Sequence, residues 1–374
     1  MIGAMPPHTV VIAPDSFKGT ASATEVALAL ARGWRTERPD DVVVPMPMAD
    51  GGEGTLDAFE IAVVGSKRMP VTVTGPDDRK VRTSWLLLPD GTGVVELAAT
   101  SGITLLDPLR PMTAHTRGFG EAIAAALDHG VPRLVLAIGG SSSTDGGVGA
   151  LSVLGARFTV AGGAPVGFAG GSVGLDELAT VDLAGLRPLP PGGVTVLSDV
   201  GSPLLGKDGA AAVFGPQKGA DATDITVLEA GLARLASFLD VDSGLPGTGA
   251  AGGCGYGLVA WGAGLLAGAE AVGDVVGLPA AAASARFIIT GEGRFDGQSS
   301  EGKVPSYVRG LAGSAGGPRA LLVAGAIAAE PVGFAAAVSL TDLSGSSAAA
   351  MGDAVYWLER AGAALARSVH HSGP

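Results

Sequence analysis

Six short apolar runs constrain this chain most, because none of them alternates with polar residues. They lie near positions 10, 42, 134, 287, 320 and 336, as in Val10-Val11-Ile12-Ala13, Val42-Val43-Val44 and Phe287-Ile288-Ile289. A strand with one wet face alternates; a strand covered on both faces does not. The runs therefore predict a parallel sheet packed between helices. Four of them break into polar, glycine-bearing loops at 14–19, 49–54, 139–147 and 291–297. Ser22 and Glu25 then form a capping-box pattern, followed by Val26, Leu30 and Trp34 at helical spacing. Leu56, Phe59 and Val63 mark a second helix, and another is expected near Gly302, with Pro305 in its first turn. In an open α/β sheet, ligands bind beyond the carboxyl ends of the strands, where strand order reverses. Four such loops on one edge predict an anion site there.

The rhythm is interrupted. Residues 71–74, 81–88 and 93–97 are strand-like runs separated by Gly-Pro and Asp-Gly turns, which predicts an antiparallel excursion. A helix over 119–129, closed by Gly130, and a strand over 134–138 restore the βα order. From about 150 to 265 the pattern is less regular; its best helix begins near Asp224, with Ile225, Leu228, Leu232, Leu235 and Leu239 on one face. A last helix covers about 353–369. With 374 residues the chain exceeds the roughly 250–300 that one core sustains. The expected architecture is α/β: a doubly wound, parallel, six-stranded sheet with a second α/β domain inserted in it. Residues 1–69, 113–150 and 266–374 would form the first domain, residues 70–112 and 151–265 the inserted one, with the active site in the cleft between them.

A net charge of −12 argues against nucleic acid or an anionic membrane as partner. The single cysteine, Cys254, excludes an internal disulfide and a cysteine-rich zinc site. No histidine has a partner at metal spacing, His370-His371 lying at the terminus. The start, MIGAMPPHT, shows no signal-peptide pattern, and the longest apolar run, 256–269, is too short to span a bilayer. A soluble cytoplasmic protein is expected. Only six of 24 basic residues are lysine, and Lys18, Lys207, Lys218 and Lys303 sit in glycine-rich or turn-like stretches, which suits anion handling.

The stretch 286–303, RFIITGEGRFDGQSSEGK, sets a strand before a glycine-rich polar loop and a helix, an arrangement that presents backbone N–H groups to an anion. It misses the phosphate-loop pattern at Val304, where Ser or Thr would hold magnesium. Gly170-Gly171-Ser172-Val173-Gly174 matches the nucleophile elbow and 247–252 a dinucleotide fingerprint, but neither follows a strand-like run. Phosphoryl transfer needs phosphate cradling, carboxylates for a metal, cations, and a carboxylate to orient the acceptor hydroxyl. Aspartates at 15, 50, 145, 199 and 296, the four loop lysines and Arg294 supply these types. The segments around Asp199 and 214–219 lie in the expected second domain and would close over the strand ends as a lid.

At this point the chain resembles the bacterial glycerate kinases of the family that makes 2-phosphoglycerate. Seven blocks carry the resemblance: VVIAPDSFKG (10–19), PMADGGEGT (47–55), AIGGSSSTDGG (137–147), SDVGSPLLG (198–206), AVFGPQKGA (212–220), GAAGGCGYG (249–257) and TGEGRFDGQ (290–298). The chain departs at 141–144, Ser-Ser-Ser-Thr, where many relatives have Ala and Asn. The resemblance implies strand order 3-2-1-4-5-6, with the 15–18 and 292–296 loops neighbours at the reversal. It implies transfer of the γ-phosphoryl of ATP, with Mg2+, to D-glycerate. It also implies the 2-hydroxyl; residue chemistry alone leaves 3-phosphoglycerate open, and a non-catalytic small-anion binding protein is the rival of another class. On residue chemistry, Asp199 would orient or deprotonate the acceptor hydroxyl, and Lys18 and Arg294 would bind the glycerate carboxylate or the phosphoryl group. Asp15, Ser16, Asp50, Glu53, Asp296, Gln217 and Lys218 would complete the substrate site. Gly139, Gly140, Ser141, Ser142, Ser143, Thr144, Asp145 and Lys207 would meet the nucleotide, and Asp296, Glu292 or Asp50 the metal. A homodimer is left open.

Overall fold

The computed structural model describes residues 7–17, 19–49, 51–166, 171–198, 200–266, 268–296, 304–313 and 316–369. The chain divides into two compact units. One comprises Met1–Asp50, Asp57–Val64 and Gly268–Pro374, the other Gly51–Leu56 and Gly65–Ala267.

The first unit holds five parallel strands in the order Val42–Pro45, Thr9–Ile12, Phe287–Phe295, Arg319–Ile327, Ala336–Ser339. From the Thr9–Ile12 strand the chain goes first to one side and later to the other, so strand order reverses between Thr9–Ile12 and Phe287–Phe295. Val10, Ile12, Phe287, Ile289, Leu321 and Val323 pack on the helices Ala23–Glu37 and Ala354–Ser368. Right-handed crossovers in opposite directions put the helix Val304–Ala312 on the other face. Both faces are covered, which is why the runs do not alternate. The capping box is present: the Glu25 N–H donates to Ser22 Oγ at 3.2 Å and the Ser22 N–H to Glu25 Oε2 at 2.9 Å. The two long helices approach closely because both carry glycine at the crossing. A Cβ on Gly33 would run into the Glu359 carbonyl, and one on Gly362 into that of Leu30.

At the amino ends of these strands lies a buried polar knot. The Asp41 carboxylate accepts from Arg38 Nε at 2.5 Å and Nη2 at 3.1 Å, from Trp34 Nε1 at 2.9 Å, and from the His8 N–H at 3.0 Å.

The second unit is built on a six-stranded sheet in the order Gly264–Leu266, Val194–Leu197, Leu134–Ala137, Gly93–Glu96, Lys80–Leu87, Lys67–Thr74. The first three pairings are parallel and the last two antiparallel. Arg157–Val160 and Leu178–Asp182 form a separate antiparallel ribbon. The helices Arg117–His129 and Ala222–Ala236 supply Phe119, Ile123, Leu228, Leu232 and Leu235 to the core, beside Leu136, Tyr256 and Trp261.

Two expectations are corrected. The Leu134–Ala137 strand belongs to this sheet, between Gly93–Glu96 and Val194–Leu197, so the first sheet has five strands, and residues 113–150 fall in the second unit. A run buried on both faces reads the same in either sheet; its partners, not its composition, decide. The strand from Phe287 also does not break at Gly291 but continues to Phe295, pairing Glu292 with Ala324 and Arg294 with Ala326. The glycines serve close approach there: a Cβ on Gly291 would run into the Val323 carbonyl, and one on Gly325 into that of Gly293. Among the described residues, no helix is long and apolar enough to cross a membrane.

The Asp41 knot yields a stability prediction. Removing one member of a buried pair leaves the other charge uncompensated, at about 3–5 kcal/mol. Asp41→Ala should therefore lower the unfolding free energy by about that much, read from the denaturant midpoint at unchanged m value; a loss under about 1 kcal/mol would sink the idea. Burial raises the Asp41 pKa, but the hydrogen bonds from Arg38, His8 and Trp34 outweigh it and hold the carboxyl below its ordinary value. The stabilisation is thus present above about pH 4 and lost as pH falls through the folded-state pKa. The variant should lack that part of the acid sensitivity.

Candidate active site

In the first unit the reversal point brings two of the four loops together. Pairing continues past the Thr9–Ile12 strand: the Ala13 N–H donates to the Ile289 carbonyl at 2.7 Å, and the Asp15 N–H to the Gly291 carbonyl at 2.8 Å. Phe17 is buried, and its N–H donates to the Ala21 carbonyl at 2.8 Å, closing a tight turn in which Gly19 has a φ of +81°. Asp15 and Ser16 are half-buried, and the Ser16 N–H donates to Asp15 Oδ1 at 2.6 Å. Glu292 and Arg294 are two residues apart on the neighbouring strand and so share a face. Glu292 is buried, whereas Arg294 is 65% exposed and sits 3.4 Å from Asp296. Beside them, Thr290 Oγ1 is buried without a partner among the described residues.

In the second unit the 139–147 loop leaves the carboxyl end of Leu134–Ala137. Asp145 is fully buried: its Oδ2 accepts from the Thr116 N–H at 2.9 Å, Thr116 Oγ1 at 2.8 Å and the Gly149 N–H at 3.2 Å, and its Oδ1 from the Gly147 N–H at 3.2 Å. It therefore points into the protein as a capping group. The Gly139 N–H donates to the Gly51 carbonyl at 2.8 Å, and Ser142 Oγ to the Ser101 carbonyl at 2.8 Å. The glycine-rich 249–257 segment packs on the loop: the Gly146 N–H donates to the Gly252 carbonyl at 3.0 Å, and a Cβ on Gly252 would run into the Ser143 carbonyl. What remains is a set of donors. Among the described residues, the backbone N–H groups of Gly140, Ser143, Thr144 and Asp145 and the hydroxyls of Ser143 and Thr144 have no hydrogen-bond partner.

Lys218 lies inside this unit rather than on a lid surface. Fully buried, it donates from Nζ to Ser141 Oγ at 2.9 Å and to the Ser143 carbonyl. Burial pulls its pKa down to about 8, against Asp145 and Cys254, which raise it. Gln217 beside it is exposed, as are Glu53 and Lys207, and Lys207 pairs with Asp208 at 2.7 Å. Lys18, Asp50, Asp199 and Lys303 lie outside the described residues. Asp199's neighbours follow the Val194–Leu197 strand, with the Ser198 N–H donating to the Leu266 carbonyl at 3.2 Å. Of the remaining motifs, the elbow serine Ser172 is buried, with Oγ donating to the Met112 carbonyl at 2.9 Å. Among the described residues, no three His, Cys, Asp or Glu side chains gather as a metal cluster.

One residue escaped the sequence reading. Glu96, buried at the end of the Gly93–Glu96 strand, accepts from the Gly54 N–H at 3.3 Å and the Leu56 N–H at 3.0 Å, holding the chain at the start of the helix Thr55–Ala62. A lone carboxylate at the carboxyl end of a buried strand was the available signal.

These loops can be compared with known proteins. The sequence model of the glycerate kinase family matches residues 10–370. The glycerate 2-kinase of Escherichia coli (strain K12) is 43% identical over 313 residues, 81% of either chain. The glycerate kinase of Bacillus subtilis (strain 168) is 41% identical over 306 residues, 79% of either chain. The crystal structure of putative glycerate kinase 2 from Salmonella typhimurium LT2 superposes with a TM-score of 0.83 at 38% identity, covering 98% of this chain and 99% of that one. A match of this extent, spanning both units and every loop described above, makes the chain a member of the glycerate kinase family.

Proposed function

We propose that this enzyme transfers the γ-phosphoryl group of ATP to the 2-hydroxyl of D-glycerate, with Mg2+, releasing 2-phosphoglycerate and ADP. The observation that carries this reading is the 139–147 loop, a glycine- and serine-rich turn at a strand's carboxyl end whose free donors suit phosphate oxygens, in a chain so similar to a glycerate 2-kinase. Those N–H groups and hydroxyls would bind the nucleotide phosphates, with Lys207 at the exposed side. Asp145 acts through the loop's shape, since its oxygens already serve Thr116, Gly147 and Gly149. Arg294 and Lys18 would take the glycerate carboxylate or the migrating phosphoryl, and Asp15, Ser16, Glu53 and Gln217 would orient the substrate.

In phosphoryl-transfer sites magnesium is held by one or two carboxylates together with phosphate oxygens and water. Glu292 and Asp296 fit that demand without a three-ligand cage, and Asp50 is a further candidate. The ion would offset negative charge on the phosphates. The chain's own contribution at the acceptor is a carboxylate that aligns the hydroxyl and takes its proton as the bond to phosphorus forms, and Asp199 is the residue proposed for it.

A coupled ADP-release assay tests the whole reading. ADP should appear only when D-glycerate, ATP and Mg2+ are all present, and phosphorus NMR should show the 2-phospho isomer. The 3-phospho isomer would correct the regiochemistry. Tight binding of glycerate without turnover would favour an anion-binding protein instead.

Asp199→Asn keeps shape and one acceptor oxygen but cannot accept a proton. General-base help is typically worth about 10²–10⁴-fold, so kcat should fall by roughly 10²-fold or more, with the affinity for ATP near the parent's. Recovery of rate at high Mg2+ would instead make Asp199 a metal ligand, and turnover near the parent rate would make it structural.

A further inference from the structure

Lys218 is an expensive residue to keep where it is. Its ammonium carries three donors. Two are used by Ser141 Oγ and the Ser143 carbonyl, and among the described residues no carboxylate forms an ion pair with it. Asp145 attracts it only from a distance, because the carboxylate oxygens are occupied by Thr116, Gly147 and Gly149. A buried ammonium without a directly bonded counter-charge destabilises a fold, so stability does not account for it. Its position does. The two groups it holds, Ser141 Oγ and the Ser143 carbonyl, belong to the loop whose N–H groups at Ser143, Thr144 and Asp145 and hydroxyls at Ser143 and Thr144 have no partner. Holding the Ser143 carbonyl fixes the plane of the Ser143–Thr144 peptide and with it the direction of the Thr144 N–H, and successive N–H groups in a turn can make an anion-binding concavity.

We propose that Lys218 is a positioning residue for phosphoryl transfer: from beneath the 139–147 loop it holds the loop's donors in an anion-binding shape and supplies the positive charge that favours nucleotide phosphates there, without touching glycerate. This rests on the kinase reading above. A strut of this kind predicts an inversion that a merely structural lysine would not show. Removing it relieves the desolvation of the charge, so stability holds or rises, while nucleotide binding falls.

The test uses the full chain as the parent, Lys218→Met and Ser141→Ala, with MgADP titrated by calorimetry in the absence of glycerate. Melting temperatures and both KM values are recorded alongside. Hydrogen bonds from charged donors are worth about 10- to 100-fold in binding, and we expect a loss of that size in MgADP affinity for Lys218→Met. Its Tm should be at or above the parent's, and KM for glycerate within about twofold. Raising the pH through about 8 should weaken MgADP binding to the parent as Lys218 loses its proton, and this step should be absent from Lys218→Met. The groups facing Lys218 are Asp145 and Cys254, and burial keeps the Cys254 thiol protonated across that range. Unchanged MgADP affinity, a lower Tm with normal affinity, or a rise confined to KM for glycerate each overturns the proposal. Should Lys218→Met fail to fold, Ser141→Ala decides. It removes one anchored acceptor and should weaken MgADP binding by about 2- to 10-fold, and parent-like binding overturns the proposal. A parent that binds MgADP but does not phosphorylate glycerate would defeat the functional reading, and the MgADP affinity of Lys218→Met would then still decide whether Lys218 shapes the loop for nucleotide; a parent that binds no nucleotide defeats both.

Discussion

The Asp145 carboxylate is the contact on which the second unit's loop depends. It is fully buried, and its charge is met by hydrogen-bond donors rather than by a salt bridge. Thr116, its main partner, stands at the N-cap of the helix Arg117–His129, while Gly147 and Gly149 begin the helix Val148–Val153. One carboxylate therefore sits where two helix N-termini converge, and the aligned peptide dipoles favour a negative charge there. The same contact fixes how the chain turns through 139–147. The loop and the two helix starts lose their common reference if it goes.

The sequence made the kind of fold legible and left the assignment of strands to sheets hidden. Four apolar runs ending in glycine-bearing polar loops showed covered parallel strands with those loops at their carboxyl ends, as the first sheet and the parallel half of the second are built. Leu134–Ala137 could not be placed, because a strand covered on both faces has the same composition whichever neighbours it pairs with. Glu292 and Arg294 looked like loop residues because glycine breaks hydrophobic runs. In this sheet Gly291 and Gly325 instead let two strands approach without obstruction, and the ladder continues to Phe295. Asp145 illustrates a third limit. Residue type showed a carboxylate in a phosphate-type loop, but not that it turns inward to Thr116, 29 positions earlier in the chain. For Lys218, spacing gave no hint of Ser141, 77 positions away.

Charge is handled in opposite ways at the two ends of these strands. At the amino ends of the first sheet, Asp41 and Arg38 are buried together and almost every donor and acceptor is matched. At the carboxyl ends, in each unit considered by itself, polar groups are buried without completion: Thr290 Oγ1 beside Glu292 and Arg294 in the first, Ser143, Thr144 and Lys218 in the second. Desolvation penalises an incomplete group wherever it lies, and Thr24, Ser152, Glu229 and Tyr307 carry buried atoms of this kind on helices, so what sets the carboxyl ends apart is the glycine-bearing loops beside them. An open α/β sheet binds ligands at these ends because the loops there can vary while the opposite ends hold the layers in register. The Asp41–Arg38 pair is met by its own neighbours, whereas the buried Lys218 ammonium, bonded to Ser141 Oγ and the Ser143 carbonyl, has no directly bonded counter-charge among the described residues.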